Sequence, residues 1–481
     1  MSNLSELLPT GGGQNAVNFV ASGTLSSGQT VVLKSDGTVE AVAETSVTGF
    51  DGSNTTFTSN AIEYPTTSGF DPISGKFLII YSDKGNSNYP TGVVATVSGT
   101  SISFGTPSVL ESAQTQTFTV TYDPNATKLV IGWSSGGSAV LKATVATISG
   151  TSVSYGTSTT LSGDYVVYLS ATYNTTSNNI VYAFQTSSSD GQAVLATVSG
   201  SSISFGTRST FETGSITYTS ICYDPNEDCV VIAYKKTSLG GGYGVAVVGT
   251  VSGTSLSFGS KYTFNSAVTN FPTIAYDLAQ QKALLVYDDV GNSGYATMSV
   301  VTVSGTTLTF GSEVTLVSQA TSEYMSSVYD SNTGTVLVAL NWGSGGAIHS
   351  VAISGATPSS SGSYSTGVRS QGSFIALDPS TSNAIISFRN SSSSDIGQAK
   401  PFRFGYSSTN YTDFIGITAG AISDTATGTV NVYGGINEAQ TGLTIGADYY
   451  VQDDGSLSTT SSAVKVGQAI SATTINMMDL T

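Results

Sequence analysis

Charge and reactive side chains are what this 481-residue chain has least of. It holds one histidine, His349, and two cysteines, Cys222 and Cys229. One imidazole, with no Gly-x-Ser-x-Gly elbow to serve, gives no support to a Ser-His-Asp triad. Two thiols and one imidazole fall short of a tetrahedral zinc site. His349 lies in an alternating run, Ala347-Ile-His-Ser-Val351, and reads as a strand residue. The cysteines flank one expected hairpin, Cys222-Tyr-Asp-Pro-Asn-Glu-Asp-Cys229, and read as reduced, half-buried thiols, with a cross-strand bridge as the alternative. No apolar run approaches the ~20 residues needed to span a bilayer, and no segment carries a helical period. Residues 1–15 lack the basic start and apolar centre of a secretory signal, so the expectation is a chain made and folded in a cytoplasm. Lys and Arg number 15 against 31 Asp and Glu, and the resulting charge of −16 repels phosphate backbones. Nucleic acid is therefore not an expected partner, nor is membrane insertion, and no cofactor is called for.

What is abundant is glycine (54) and aromatic residues (25 Tyr, 19 Phe), and the aromatics sit in short alternating runs that a disordered chain does not need. A phrase of the type Val-Ser-Gly-Thr recurs, with its glycine at 99, 150, 200, 253, 305 and 355, spacings of 51, 50, 53, 52 and 50. Six residues after the first five of these stands a second glycine, Gly105, Gly156, Gly206, Gly259 and Gly311. Upstream lies an aromatic-Asp-Pro-like turn at Asp71, Asp123, Asn174, Asp224, Asp277, Asp330 and Asp378. Ten residues beyond each turn residue comes Tyr81, Trp133, Phe184, Tyr234, Tyr287, Leu340 and Phe388. A ~50-residue unit of four short strands is the signature of a propeller blade.

The expected fold is thus all-β: a β-propeller of about seven four-stranded antiparallel blades, inserted between the N- and C-terminal parts of a small β mounting module. The boundaries read as 1–44 for an N-terminal anchor and part of the mount, 45–412 for the propeller and 413–481 for the rest of the mount. The seventh unit lacks its fourth strand after Gln398–Phe404, and the segment Thr45–Asn60 is free to supply it and close the ring. The sixth unit is degenerate after Gly355, so its outer strand is expected to be short. The two ends share an outline, Leu25-x-x-Gly28 to Asp36-Gly37 and Leu443 to Asp454-Gly455, in which Asp-Gly signals a hairpin turn.

Strand order puts the uniform Asp-Pro and Ser-Gly-Thr turns on one face and the loops between second and third strands on the other. Those loops differ in every unit, and a rigid scaffold presenting varied loops is a common plan for binding. The candidate ligand residues are Asp83, Asn86 and Tyr89 in the first unit, Tyr243 in the fourth, Asp288, Asp289, Asn292 and Tyr295 in the fifth, and Trp342 in the sixth. The tyrosines and Trp342 are stacking candidates for a sugar. Asp288 and Asp289 are the best local carboxylate pair for glycoside cleavage, and with Asn292 offer oxygen ligands to calcium; the plainer reading makes them solvated turn residues. No catalytic residue and no metal ligand is assigned.

The repeat phrase Val97-Ser-Gly-Thr-Ser-Ile-Ser-Phe-Gly-Thr-Pro107 resembles repeats in structural proteins of tailed bacteriophages, notably marine and cyanobacterial ones. The C-terminal Gly442-Leu-Thr-Ile-Gly-Ala-Asp-Tyr-Tyr-Val-Gln-Asp-Asp-Gly-Ser-Leu457, followed by Val466-Gly-Gln-Ala-Ile-Ser-Ala-Thr, is similar to modules of phage tail fibres. The resemblance implies a non-enzymatic virion component made in the host cytoplasm, joined to other virion proteins through the terminal module, homo-oligomeric in the particle, and binding a host surface glycan or protein. The chain has no heptads and no long fibrous repeat, so a capsid decoration with no ligand of its own stands as the alternative. A propeller enzyme acting on host polysaccharide is the third reading.

Overall fold

The computed structural model describes residues 15–63, 66–136, 140–161, 163 and 165–477; residues 1–14 of the expected N-terminal segment 1–44 lie outside them. The chain is all-β, its regular structure among the described residues being strands and three short 3-10 turns. It divides into two compact modules, residues 49–404 and residues 1–48 with 405–481.

Within 49–404 each repeat folds as an antiparallel sheet in chain order. In the second, Thr115–Asp123, Lys128–Ser135, Val140–Ser149 and Ser152–Tyr155 each pair with the next. The second strand is the most apolar because sheets pack on both its faces: Leu129 to Ser135 are all buried. The fourth and fifth repeats share one 23-residue strand, Ser255–Asp277, which pairs with Tyr243–Ser252 up to Val268 and with Lys282–Asp289 from Thr269 on. In the seventh, Ile396–Arg403 is completed by Phe50–Asp51 and Thr55–Ala61, so the segment before the first repeat does supply the missing outer strand. Glu44–Val47 is not part of it. That stretch pairs with Tyr406–Thr409 in the terminal module, which sets the division at 48/49 and 404/405. The sixth outer strand is not short: Thr357–Ser365 runs for 9 residues against 4 in the first three repeats. Ser361 stands where those repeats carry their second glycine, and the strand continues past a bulge at Ser350/Val351, as the fourth repeat's strand continues through its own Gly259.

The repeated residues have separate tasks. The turn aspartates accept backbone N–H bonds two or three residues on, as Asp224 Oδ1 does from Asn226 (2.9 Å) and Glu227 (3.2 Å). The glycine of each Val-Ser-Gly-Thr phrase adopts φ between +57° and +62°, a left-handed turn that glycine enters at no steric cost. The second glycine answers to space instead: a Cβ on Gly105 would lie 1.8 Å from Thr151 O, and on Gly206 or Gly311 2.2 Å from Thr254 O or Ala356 O. Each abuts the Ser-Gly-Thr-type turn of the following repeat. Gly52 makes the equivalent approach to Thr100 O of the first repeat, at 2.6 Å. The aromatic row is buried, and three of its members meet a carboxylate: Trp133 Nε1 donates to Glu111 (2.8 Å) and the Tyr234 hydroxyl to Glu212 (2.7 Å), each from the outer part of the preceding repeat, while the Tyr287 hydroxyl donates to Glu313 (2.7 Å), which follows its own fourth strand.

In the terminal module Ala16–Val20, Thr427–Val432, Phe414–Thr418, Thr30–Leu33 and Val39–Ala41 form one sheet, so strands from both chain ends interleave. A second sheet joins Ile436–Asn437, Ile475–Met477, Lys465–Ala469, Asp448–Val451 and Leu457–Ser458. Val32, Val42 and Ile417 of the first share a core with Tyr449, Val451 and Val466 of the second.

Candidate functional site

The nine candidate residues fall in four repeats, and the structure gives them unequal roles. In the first and fifth repeats the loop is a 3-10 turn, Lys84–Asn86 or Val290–Asn292, capped by the preceding aspartate. Asp83 accepts from Gly85 N (2.9 Å) and Asn60 Nδ2 (2.9 Å); Asp289 accepts from Gly291 N (2.9 Å) and Asn265 Nδ2 (3.0 Å). Asp83, Asp288 and Asp289 are buried, not solvated as the plain reading had it, because the returning outer strand covers them. Two of these carboxylates therefore hold their own loop. Asn86 and Tyr89 are half-buried at the end of the first loop. Asn292 donates to Thr315 Oγ1 (3.0 Å), and Tyr295 opens the strand that follows. The Tyr243 ring lies against Gly240, where any Cβ would overlap it. Trp342 is half-buried on a core that it shares with Met325 and Leu340. Among the described residues no group of three or more His, Cys, Asp and Glu side chains converges.

A different set of residues makes a concave site. A cavity of about 500 Å³ is lined by the first strand, or residues beside it, of all seven repeats. At its rim stand Tyr168, Tyr218, Phe271 and Tyr324. These four occupy one repeat position, six residues before the turn residues Asn174, Asp224, Asp277 and Asp330. Their rings run in a continuous series, with centroids 4.9 Å apart for Tyr168–Tyr218, 4.5 Å for Tyr218–Phe271 and 5.3 Å for Phe271–Tyr324. The rim lies toward the face of the second-to-third-strand loops, since Thr217 and Asn270, one residue before Tyr218 and Phe271, pair with Lys235 and Asp288 at the ends of second strands.

The backbone explains how rings reach that rim. In five of the repeats the first strand bulges there: the register slips between Thr115 and Phe118, Val167 and Ser170, Thr217 and Ser220, Asn270 and Thr273, and Gln371 and Phe374. In the third to fifth repeats the leading bulge residue is left-handed, at φ +51° for Tyr168, +55° for Tyr218 and +47° for Phe271. In the seventh repeat it is Gly372, at +57°. A bulky L-residue held there costs on the order of 1–2 kcal/mol relative to glycine, so the fold keeps three aromatic side chains where glycine serves the backbone better. In the second and seventh repeats the same position carries Thr117 and Gly372 in place of a ring, and hydroxyl side chains line the cavity in every repeat.

Among the described residues no Asp, Glu, Lys or Arg lines the cavity. Burial pushes the Tyr168 and Tyr218 phenols up, so both stay neutral at physiological pH. Charge begins one layer out: Lys235 donates to Asn270 Oδ1 (2.8 Å) with its ammonium 5.9 Å from the Tyr218 ring centroid. Burial pushes the Asp288 carboxyl up to about 6, aided by the charge of Asp289 and opposed by bonds from Thr321 and Asn270 and by Lys235. Its Oδ1 is buried without a hydrogen-bond partner.

The remaining reactive groups are inert in their settings. Cys222 and Cys229 are free and buried, and burial pushes the Cys229 thiol up to about 12 and Cys222 further. His349 Nδ1 lies 3.2 Å from Ser360 Oγ on the neighbouring outer strand, and burial lowers its pKa.

No family model matches the sequence, and no curated protein matches it. Among solved structures the chain is similar to the crystal structure of AofleA from Arthrobotrys oligospora, at 11% identity over 68% of this chain and 94% of that one, with a TM-score of 0.41. That likeness is too slight to inform function.

Proposed function

We propose that the chain is a non-catalytic recognition protein of a tailed-phage virion, whose seven sheets close as the blades of a propeller and whose variable-loop face meets a host surface glycan or protein. The observation that carries the recognition reading is the contrast between the two ends of one scaffold. The Asp-turn and Ser-Gly-Thr ends repeat nearly residue for residue, while the opposite end differs in every repeat and opens on a cavity rimmed by strained aromatic residues. Closure as a ring is supported by the approach of Gly52 to Thr100, which matches the approach of each second glycine to the next repeat, and by the hydroxyl contact of Thr66 with Ser387 at 2.8 Å. The virion assignment rests on the resemblance of the repeat phrase and of residues 442–457 to phage structural proteins. The terminal module is the part that attaches to other virion proteins in this reading.

The test is saturable binding of the purified, labelled chain to intact cells of candidate cyanobacterial and marine bacterial hosts. Asn292→Ala, Tyr295→Ala and Trp342→Ala variants report on the loops, since these side chains are not caps of their own loop. Binding that falls at least tenfold in a folded loop variant places the contact on that face. No binding by folded wild type to any host sinks the recognition reading and leaves a structural decoration.

A further inference from the structure

We propose that the central cavity is a binding site for a neutral saccharide, seated with its apolar face on the rings of Tyr168, Tyr218, Phe271 and Tyr324 and its hydroxyl edge toward the hydroxyl side chains of the lining. The inference rests on the recognition reading above and deepens it, because it moves the ligand from the loop tips into the cavity and names its class.

Four observations converge on that class. First, the lining offers two kinds of surface. One repeat position carries rings in the third to sixth repeats and Thr117 and Gly372 in the second and seventh, and hydroxyl side chains line the cavity in every repeat. A sugar ring offers two kinds as well, C–H groups that pack on aromatic faces and hydroxyls that both donate and accept. Second, among the described residues the lining carries no ionisable carboxylate, ammonium or guanidinium, in a chain whose net charge is −16. A sialate, uronate or phosphate entering it would lose water and meet no counter-charge, so an acidic ligand is disfavoured. Third, about 500 Å³ is the size of a small-ligand site and has room for roughly one or two sugar rings. Fourth, the aromatic residues are not there for the backbone. Gly372 shows that the bulge accepts glycine, yet Tyr168, Tyr218 and Phe271 hold left-handed φ at that position.

The experiment is a printed array of neutral oligosaccharides beside sialate- and uronate-containing ones, probed with the full chain, followed by competition with the free neutral sugars. The variants are Tyr218→Gly, which removes a ring while suiting its φ, and Tyr324→Ala, which removes the most exposed ring of the four. Ile73→Ala, an exposed residue of the first Asp-turn, is the control, and thermal melting checks folding in each. Binding to neutral members, weakened at least tenfold by Tyr218→Gly and Tyr324→Ala and within twofold of wild type in Ile73→Ala, is the expected result. Should Tyr218→Gly fail to fold, Tyr324→Ala decides alone. Neutral-glycan binding that survives both ring variants, or binding confined to acidic glycans, overturns the proposal. So does wild type that binds cells but no neutral glycan, which leaves the recognition reading standing and points to a protein ligand. Absence of both cell and glycan binding takes both readings down together.

Discussion

Glu212 is the sharpest place to test how the repeats hold together. Its side chain is 1% exposed and accepts from the Tyr234 hydroxyl at 2.7 Å, Lys236 Nζ at 2.7 Å and Lys261 Nζ at 3.2 Å. In Glu212→Ala the Tyr234 hydroxyl is left buried without an acceptor, a cost of about 1–3 kcal/mol. Lys236 and Lys261 are partly exposed and turn to water, so each adds less than about 1 kcal/mol. The expected loss is about 3 kcal/mol. Glu212→Gln keeps an acceptor for the phenol and loses only the charge, about 1–2 kcal/mol. Guanidinium unfolding followed by fluorescence and circular dichroism reads both, and a cycle with Tyr234→Phe is expected to show about 1–2 kcal/mol of coupling. The pH dependence has a defined sign. Burial raises the Glu212 pKa, but the bonds from Lys236, Tyr234 and Lys261 outweigh it and hold the carboxyl below its ordinary range. Its contribution is thus complete above the ordinary carboxylate value and is lost as pH falls from there through the folded value, so wild type and Glu212→Gln converge in acid. A Glu212→Ala protein within about 0.5 kcal/mol of wild type, with no coupling to Tyr234, would refute the reasoning.

Asp288 has the opposite sign: its folded pKa lies near 6 against 3.8 unfolded, so wild type loses stability as pH rises from about 4 through 6. Asp288→Asn is expected to exceed wild type by about 1–2 kcal/mol at pH 8 and to match it near pH 4, read from melting curves at the two pH values. Two glycines of one repeat are expected to separate two mechanisms. Gly105→Ala drives a Cβ into Thr151 O and costs about 3 kcal/mol or more, whereas Gly99→Ala, with nothing within 4 Å but φ at +57°, costs about 1 kcal/mol; equal losses in denaturant melts would contradict this. Tyr218→Gly exchanges ring packing for backbone relief and is expected to stay within about 1.5 kcal/mol of wild type in the same assay.

Much of the scaffold was legible because its signals are local and recur at fixed spacing. The turn aspartates, the left-handed glycines and the alternating strands each depend on a few adjacent residues. The donated outer strand was legible too, since the seventh repeat ends one strand short and only one segment lies unassigned. The sixth outer strand was misjudged because loss of the repeat phrase after Gly355 is not loss of pairing: Thr357–Ser365 still pairs along its length with Ala347–Ser354. The site was read less well. Asp83 and Asp289 look like solvated turn residues in sequence, and only the strand that returns over them makes them buried caps. Tyr168, Tyr218, Phe271 and Tyr324 share one repeat offset, a signal present in the sequence. Yet no propensity assigns a left-handed bulge to tyrosine or phenylalanine, and the offset falls just outside the alternating core of the strand.

The donated strand also bears on how the molecule is made. Ala61 pairs with Ile396, 335 residues later, so the segment that finishes the seventh sheet leaves the ribosome ahead of the repeats and must wait until nearly all of them have followed. Synthesis at roughly 5–20 residues per second sets that wait at tens of seconds. Meanwhile Phe57 and Ile62, which end up buried, stay in water, and Ile396–Arg403, once made, presents an open edge. The same segment of a neighbouring nascent chain fits that edge equally well. Crowded synthesis on one message therefore favours strand-exchanged pairs, and slow dilution after unfolding favours the closed monomer.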